Sequence, residues 1–454
     1  MPRQTYLCAV VTFVACLVLM QAGRATPLDL SSISGPAIVK QLMHLATFSD
    51  DPNPAVTRLI FTPNDMEARR YVRVLMRDAG LSIREDPMGN IYGRMAGSSS
   101  TGAVVTGSHT DAIPLAGAYD GTLGVIGAIA ALKALRAAGF RPERPIDTLM
   151  FTSEEPTRFG LGCIGSRGMV GALSAKTLDA KVDINGTTFK DASARVGSGG
   201  SSHEAILAGT RVPDGAVSAF VELHIEQGPL LEKEGLQLGI VSAIAAPAAF
   251  RVSLSGDGGH AGALLMPDRN DAGLAAAEVA LAVEEATLAA GAIDAVGTTG
   301  YVQLGPNTMN SVPREARLEI DIRDIDAARR DATVEKVLKS IERIAEKRKV
   351  RHRVEVINQD PPVTCSQKVT AAATEAAEEL GASHKSLVSR AYHDTLFMSQ
   401  IAPAGMIFIP CRNGWSHRPD EFASAENIEM GVKALALTLA KLAGSAENES
   451  HSEL

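Results

Sequence analysis

Residues 103–111 read Ala-Val-Val-Thr-Gly-Ser-His-Thr-Asp, a short apolar run followed at once by polar side chains. This pattern is typical of a buried strand that ends at the edge of a parallel sheet. Three more apolar runs, at 148–152, 220–223 and 406–409, lead into polar residues in the same way. Between two of these runs, residues 124–138 repeat Ala and Leu with the period of a helix. We therefore predict an α/β fold with a mostly parallel sheet.

A different rhythm occupies residues 241–357. Its order is strand, helix, strand, strand, helix, strand, which is typical of a ferredoxin-like domain. The parallel-sheet pattern precedes this segment and resumes after Pro361. We predict a catalytic domain in two parts, 26–240 and 358–446, with an inserted ferredoxin-like α+β lid and dimerisation domain at 241–357. The predicted elements of the insert are strands at 250–255, 301–304, 316–322 and 350–357 and helices at 271–290 and 327–347.

Composition excludes several classes of protein. A chain of 454 residues with 45% hydrophobic side chains can bury a large core, so it is not disordered. Its 44 Lys and Arg against 52 Asp and Glu give a net charge of −8. Neither nucleic acid nor an anionic membrane surface is an expected partner.

The two ends of the chain predict a secretory location. Arg3 and an apolar run at 7–20 precede small residues, so we interpret 1–25 as a signal peptide. A membrane anchor is the alternative, but the run is shorter than a span requires. No later stretch is apolar enough to span a bilayer. The tail at 447–454 ends in His-Ser-Glu-Leu, which resembles a retention signal, and we expect the lumen of the endoplasmic reticulum.

The mature chain keeps three cysteines, Cys163, Cys365 and Cys411, at no metal-ligand spacing. We expect each to be a small buried hydrophobe, and one disulfide among them stays open.

Titratable side chains gather just past the predicted strands. Taken singly, each has an ordinary explanation: a histidine is usually hydrogen-bonded, Asp120 could cap a helix, and a Glu-Glu pair usually lies in a solvated turn. Together, three imidazoles and several carboxylates at one sheet edge would repel one another unless a cation held them. We therefore predict a metal site, with one carboxylate bridging two ions. Its residues are His109, Asp111, Asp120, Glu154, Glu155, His224 and His417.

Five ordered motifs carry a family resemblance. They are Gly-Ser-His-Thr-Asp at 107–111, Tyr-Asp-Gly at 119–121, Glu-Glu-Pro at 154–156, Glu-Leu-His-Ile-Glu-Gln-Gly at 222–228 and Gly-His-Ala-Gly at 259–262. The chain resembles the dinuclear metallopeptidase and amidohydrolase family of N-carbamoyl-amino-acid and allantoate amidohydrolases over nearly all of its mature length. Within that family, residues 243–247 and 389–394 look like the plant-type ureidoglycolate amidohydrolases, and Tyr392 stands where the other members usually have Gly.

The resemblance implies roles for the clustered residues. His109, Asp120, Glu155, His224 and His417 would be ligands of two divalent ions, with Asp120 bridging. The ions would be Mn²⁺, with Zn²⁺ as the alternative.

It also implies the catalytic groups. Glu154 would be the general base, and Asp111 would accept the other ring N–H of His109. His260 would donate to the developing oxyanion in the active site of a partner subunit, which implies a homodimer.

Five further residues would bind the substrate: Gln227, Asn310, Arg323, Tyr392 and His393. Arg323 would bind a carboxylate, and the alternative for it is an ion pair with an acidic neighbour on the adjacent strand.

The implied function is hydrolysis of the ureido C–N bond of ureidoglycolate, which gives glyoxylate, ammonia and carbon dioxide in purine breakdown. One alternative is a sister enzyme that acts on allantoate or an N-carbamoyl-L-amino acid. A more distant alternative is a lumenal binding protein without catalysis.

Overall fold

A computed structural model describes residues 28–100 and 102–445 of the chain. The predicted signal peptide and the terminal His-Ser-Glu-Leu lie outside the described residues, and the predicted location stays a prediction. Within the described ranges, no helix has both the length and the apolar character that crossing a bilayer requires.

The helices are α1 (Gly35–Ala46), α2 (Pro63–Asp78), α3 (Thr122–Ala137), α4 (Ile164–Val170), α5 (Ala175–Asp179), α6 (Phe189–Arg195), α7 (His203–Thr210), α8 (Leu230–Glu234), α9 (Ala272–Leu288), α10 (Ala327–Arg348), α11 (Gln367–Glu379), α12 (Thr395–Met398) and α13 (Ala425–Ala443), with 3-10 turns at Met266–Asp268 and Arg412–Gly414.

The strands are β1 (Val56–Arg58), β2 (Ser82–Glu85), β3 (Ile91–Met95), β4 (Ala103–His109), β5 (Ala112–Ala116), β6 (Ile146–Phe151), β7 (Val217–Ile225), β8 (Leu238–Ile244), β9 (Ala246–Ser255), β10 (Gly259–His260), β11 (Val296–Gly305), β12 (Ser311–Val312), β13 (Glu315–Asp324), β14 (Arg351–Gln359), β15 (Val363–Thr364), β16 (His384–Ser389) and β17 (Ala404–Ile409).

Nine of the described strands form the first sheet, in the order β15-β8-β17-β7-β4-β6-β3-β2, with β16 also paired to β8. The prediction of an α/β fold is confirmed, but a mostly parallel sheet is wrong, because the sheet is mixed. The central strands β17, β7, β4 and β6 are parallel, as the buried apolar runs predicted. Toward the edges, β2, β3 and β8 run antiparallel to their neighbours. A short connection, such as that between β2 and β3, reverses the chain and forces the antiparallel direction.

Helices cover both faces of the first sheet. On one face, α1, α3 and α13 bury apolar side chains such as Leu132 and Leu435 against the central strands. On the other face, Met169 and Met398 from α4 and α12 pack against Phe151 and Phe220. The central strands are therefore inaccessible except at their ends, where polar side chains can meet a ligand.

The second sheet has four antiparallel strands in the order β11-β13-β9-β14. Along the chain its main elements follow as strand, helix, strand, strand, helix, strand, and α9 and α10 pack on one face. The short strands β10 and β12 form a separate pair. The predicted boundary at residue 241 falls inside β8, which belongs to the first sheet, so the strands of the second sheet run from Ala246 to Gln359.

The two connections between the sheets lie side by side. The backbone N–H of Asp360, after β14, donates to the carbonyl of Pro247, at the start of β9, over 3.3 Å. Arg330 on α10 donates to the carbonyls of both Ala246 and Asp360. A single arginine thus ties together the points where the chain enters and leaves the second sheet.

The three described cysteines, Cys163, Cys365 and Cys411, are buried and form no disulfide, as the sequence predicted.

Candidate metal centre

A cleft of about 430 Å³ lies between the carboxyl edge of the first sheet and the outer face of the second sheet. From the first sheet it is lined by His109, Asp120, Glu154, Glu155, Gln227, Tyr392, His393 and His417, and from the second by residues that include Pro247, Glu319, Asp321 and Arg323. Most of the predicted site residues therefore meet in one place.

Two histidines reach the cleft because β4 and β7 are adjacent parallel strands. The Nδ1 atom of His109 lies 2.9 Å from the backbone oxygen of Asp111, and Nδ1 of His224 lies 2.9 Å from that of Ile225. A carbonyl can only accept, so each Nδ1 carries the hydrogen. Each Nε2 then presents a lone pair to Asp120, whose Oδ1 lies 3.6 Å from His109 Nε2 and 3.1 Å from His224 Nε2.

Asp120 belongs to two possible ligand groups. His109, Asp120 and His224 form one, and Asp120, Glu155 and His417 form the other. The Nε2 atom of His417 lies 3.4 Å from Asp120 Oδ2 and 3.0 Å from Glu155 Oε1. The cap of α3 is Gly121, without a side-chain hydrogen bond, so the helix-cap interpretation of Asp120 does not hold. The geometry instead suits a carboxylate shared by two ions.

The donor set fits metal ions. Lone pairs that face a carboxylate repel it unless a proton or a cation lies between them. Two atoms bound to one ion at about 2.1 Å in tetrahedral geometry lie about 3.4 Å apart, close to the separations given above. Nitrogen and oxygen donors without a thiolate suit Zn²⁺ or Mn²⁺.

Electrostatics point the same way. Burial alone would lower the pKa of His417, but Asp120 and Glu155 raise it to about 11. For His109, burial is opposed by Glu154 and Asp120, and its pKa lies well above the usual value. The carboxylates thus create a strong local demand for positive charge.

Glu154 lies beside the two ligand groups without belonging to either. Its Oε2 is 3.7 Å from His109 Nε2, and its Oε1 accepts a weak hydrogen bond from the Cys163 thiol over 3.6 Å. Burial raises the pKa of Glu154 well above its usual value, and the neighbouring Glu155 adds to that rise, although His109 opposes it. A carboxylate with raised proton affinity beside a metal site suits a general base.

Asp111 orients the Glu-Glu pair. Its carboxylate accepts the backbone N–H groups of Glu154 and Glu155 over 3.3 and 3.0 Å. The carboxylate lies 3.7 Å from His109 Nδ1, and the nearer atom is the Asp111 backbone oxygen. The expected bond from the ring to the carboxylate is therefore replaced by a bond to the main chain, because the carboxylate is occupied by two peptide donors.

Gln227 and His393 both line the cleft. Gln227 Nε2 donates to Asp120 Oδ2 over 2.6 Å, while its buried Oε1 has no partner in the described residues. The His393 ring packs edge-on against His224, and its Nε2 lies 3.0 Å from the Ser389 hydroxyl. The free acceptor of Gln227 could receive an N–H group of a ligand.

Arg323 forms an ion pair with Asp321 through Nε and Nη2, over 2.9 and 3.1 Å. This neighbour lies on the same strand, two residues earlier, and not across the sheet. Nη1 donates to the Arg390 carbonyl over 3.3 Å. Of five guanidinium N–H groups, two remain for a ligand.

His260 and Asn310 are not brought to the cleft of their own chain. Both are exposed and lie at the short pair of β10 and β12, where Ala261 N–H donates to the Asn310 carbonyl over 2.9 Å.

Sequence reasoning missed Glu421. Its Oε1 accepts the backbone N–H groups of Tyr119 and Asp120 over 2.7 and 2.9 Å, and its Oε2 accepts the Ser416 hydroxyl over 3.0 Å. It therefore fixes the main chain that carries the shared carboxylate. The only signal was an acidic residue shortly after His417, and Asp420 offered the same signal.

The comparisons with known proteins can now be set beside this geometry. Residues 105–441 match Peptidase family M20/M25/M40. The chain belongs to this family. Members of its M20 amidohydrolase group depend on a dinuclear metal centre, and this M20 chain is a metal-dependent amidohydrolase.

Relatives of this M20 chain include the ureidoglycolate hydrolases of Oryza sativa subsp. japonica and Arabidopsis thaliana. Each is 50% identical over 90% of the chain, and the matches cover 85% and 87% of those proteins. The allantoate amidohydrolase of Bacillus subtilis is 34% identical over 90% of the chain and 97% of its own length. The crystal structure of AtUAH in complex with glyoxylate matches 91% of the chain and 100% of its own, at 50% identity and a TM-score of 0.86.

We predict that Gly121→Ala removes metal binding. Gly121 has φ +64°, and a Cβ there would lie 2.3 Å from His109 Nε2, the ligand atom. Displacing that ring should weaken divalent metal binding by at least about tenfold. Titration calorimetry with Mn²⁺ measures the change.

The matched control is Gly381→Ala, because Gly381 has φ +63° and nothing within 4 Å of the added methyl. It carries the same backbone strain and should bind metal as the wild type does. Equal loss in both variants would show that strain, and not the contact with His109, is responsible.

Proposed function

We propose that the protein hydrolyses the ureido C–N bond of ureidoglycolate and yields glyoxylate, ammonia and carbon dioxide in purine breakdown. The observation that carries the proposal is Asp120, shared between two ligand groups, with the unshared Glu154 beside it in a closed-off cleft. Half identity to two ureidoglycolate hydrolases over most of the chain supports the substrate.

The metal ions would be held by His109, Asp120, Glu155, His224 and His417, and we propose that they are Mn²⁺, with Zn²⁺ as the alternative. When bound, such ions polarise a carbonyl and lower the pKa of water.

The remaining steps belong to side chains of this protein. Glu154 takes a proton from the attacking water and returns it to the departing nitrogen, so the C–N bond breaks without a charged amide leaving group. Gln227 accepts an N–H of the ureido group through its free Oε1. The two unused N–H groups of Arg323 bind the carboxylate of the substrate.

The products follow from the bond that breaks. Water adds to the ureido carbon, which leaves as carbamate and decomposes to ammonia and carbon dioxide. The other fragment is hydroxyglycine, which loses its amine as a second ammonia and becomes glyoxylate. AtUAH has been crystallised with both (S)-hydroxyglycine and glyoxylate.

We predict that Glu154→Gln lowers turnover by about 10²–10⁴-fold, because the amide keeps the shape but cannot take the proton. Metal content should stay at the wild-type level, since Glu154 is not in a ligand group. The neighbouring Glu155→Gln should instead lose metal along with activity. Ammonia release and elemental analysis measure the two effects, and full activity of Glu154→Gln would refute the assignment of the base.

The rival substrates are allantoate and N-carbamoyl-L-amino acids, because related amidohydrolases act on them and share the family. We predict that Mn²⁺-loaded protein releases ammonia from ureidoglycolate with a kcat/KM at least about tenfold above that for either rival, equivalent to about 1.4 kcal/mol. A preference for allantoate would assign the sister activity. Protein that binds no divalent metal and hydrolyses none of the three would be the binding protein without catalysis.

We also propose that the chain acts as a homodimer through the region of the second sheet. Exposed leucines recur every seven residues on α9, with Leu274, Leu281 and Leu288 exposed by 40%, 64% and 75%. An apolar stripe of this kind suits a subunit contact. The exposure of His260, outside the cleft of its own chain, supports a role in the cleft of the partner.

We predict that two inactive variants, Glu154→Gln and His260→Ala, complement each other. If His260 serves the partner, a mixed dimer has one site with both groups intact. Random mixing makes half of the dimers mixed, so co-expression should restore about a quarter of wild-type activity. If His260 acts within its own chain, co-expression restores nothing.

A further inference from the structure

Three buried side chains from distant segments meet behind the cleft wall. Arg167 on α4 donates through Nη1 and Nη2 to both carboxylate oxygens of Asp360, over 2.9 and 2.6 Å. The Tyr392 hydroxyl donates to Asp360 Oδ2 over 2.9 Å, and Arg167 Nη2 also donates to the phenol oxygen over 2.6 Å. Tyr392 lines the cleft, whereas Arg167 and Asp360 do not.

The polarity of each bond in this triad is fixed. Arg167 has no acceptor, so the phenol oxygen accepts from it. Burial raises the pKa of Asp360, but the hydrogen bonds and charge of Arg167 outweigh that effect and lower it, so the carboxylate is ionised and can only accept. The single phenol hydrogen is therefore committed to Asp360. What Tyr392 retains toward the cleft is one lone pair.

Arg167 is itself held in place. Its Nε donates to the Gly162 carbonyl over 3.0 Å, and its guanidinium carbon lies 4.3 Å from the centre of the Phe397 ring. Asp360 takes a further bond from Asn358 Nδ2 over 3.0 Å. The phenol cannot rotate to offer its hydrogen to a ligand without leaving this buried carboxylate short of a donor, which is costly.

We propose that Asp360 is a positioning residue that, with Arg167, holds the Tyr392 phenol as a hydrogen-bond acceptor for the hydroxyl group of the substrate. This inference rests on the proposed function. An acceptor in the wall selects ligands with a donor at that point, and ureidoglycolate carries a hydroxyl on the carbon between its ureido nitrogen and its carboxylate. N-carbamoylglycine is the same molecule with hydrogen in place of that hydroxyl, so it leaves the phenol lone pair unmatched.

The test measures kcat and KM for both compounds with Mn²⁺-loaded wild type, Tyr392→Phe, Asp360→Asn and the double variant. Wild type should prefer ureidoglycolate by at least about tenfold. Tyr392→Phe should lose most of that preference, chiefly through KM for ureidoglycolate, with less than about a threefold change for N-carbamoylglycine. Asp360→Asn should shift the ratio in the same direction, because the phenol hydrogen is no longer committed. The double variant should have the same ratio as Tyr392→Phe alone, because Asp360 acts through the phenol.

Asp147→Asn is the matched control. Asp147 forms an equivalent two-bond pair with Arg94, both bonds at 2.7 Å, outside the cleft lining. The same chemical change there should leave the substrate ratio unchanged. If Asp360→Asn does not fold, as judged by its melting temperature, Tyr392→Phe and Arg167→Lys carry the test, since both should reduce the ratio.

The outcomes separate the two hypotheses. Wild type that turns over neither compound, or only allantoate, overturns the proposed function and this inference together. Wild type that hydrolyses ureidoglycolate with no preference over N-carbamoylglycine overturns the inference alone. So does an Asp360→Asn variant that slows both compounds equally, or a double variant whose effects on the ratio simply add.

Discussion

The imidazoles of His109, His224 and His417 direct nitrogen atoms at the two oxygens of one buried carboxylate, Asp120. This concentration of donors is unstable without cations, and other features of the fold serve to hold it. The parallel strands β4 and β7 bring two of the rings to one edge. Main-chain carbonyls fix the tautomers of both rings, which leaves the same nitrogen free in each.

Charge behind the centre complements the cations expected in front of it. Arg58 is completely buried, and its Nε donates to the carbonyl of Thr110 over 2.6 Å, directly behind the His109 segment. Burial lowers the pKa of Arg58 to about 10, while Asp65 and Asp111 act in the opposite direction, so it stays charged at neutral pH. A guanidinium in this position offsets part of the acidic charge of the ligand residues and lets them be buried together.

Much of this arrangement could be predicted from the sequence, for a physical reason. Continuous apolar runs identify the buried central strands, and ligands gather where such strands end, so His109, Glu155 and His224 followed from position alone. The direction of the edge strands could not be predicted, because an apolar run carries no sign of which neighbour it pairs with. Contacts to the main chain, such as those of Glu421, leave no pattern either. The pairing of Arg167 with Asp360 joins residues 193 positions apart, beyond any local periodicity.

The adjacency of Pro247 and Asp360 makes the second sheet a closed excursion of the chain, since it starts and finishes at neighbouring points. A short turn could join those points and leave the pairing of the first sheet untouched. The roof of the cleft is therefore modular: evolution can reshape, enlarge or exchange it without rebuilding the metal-binding floor. A single catalytic floor can in this way serve substrates of very different size.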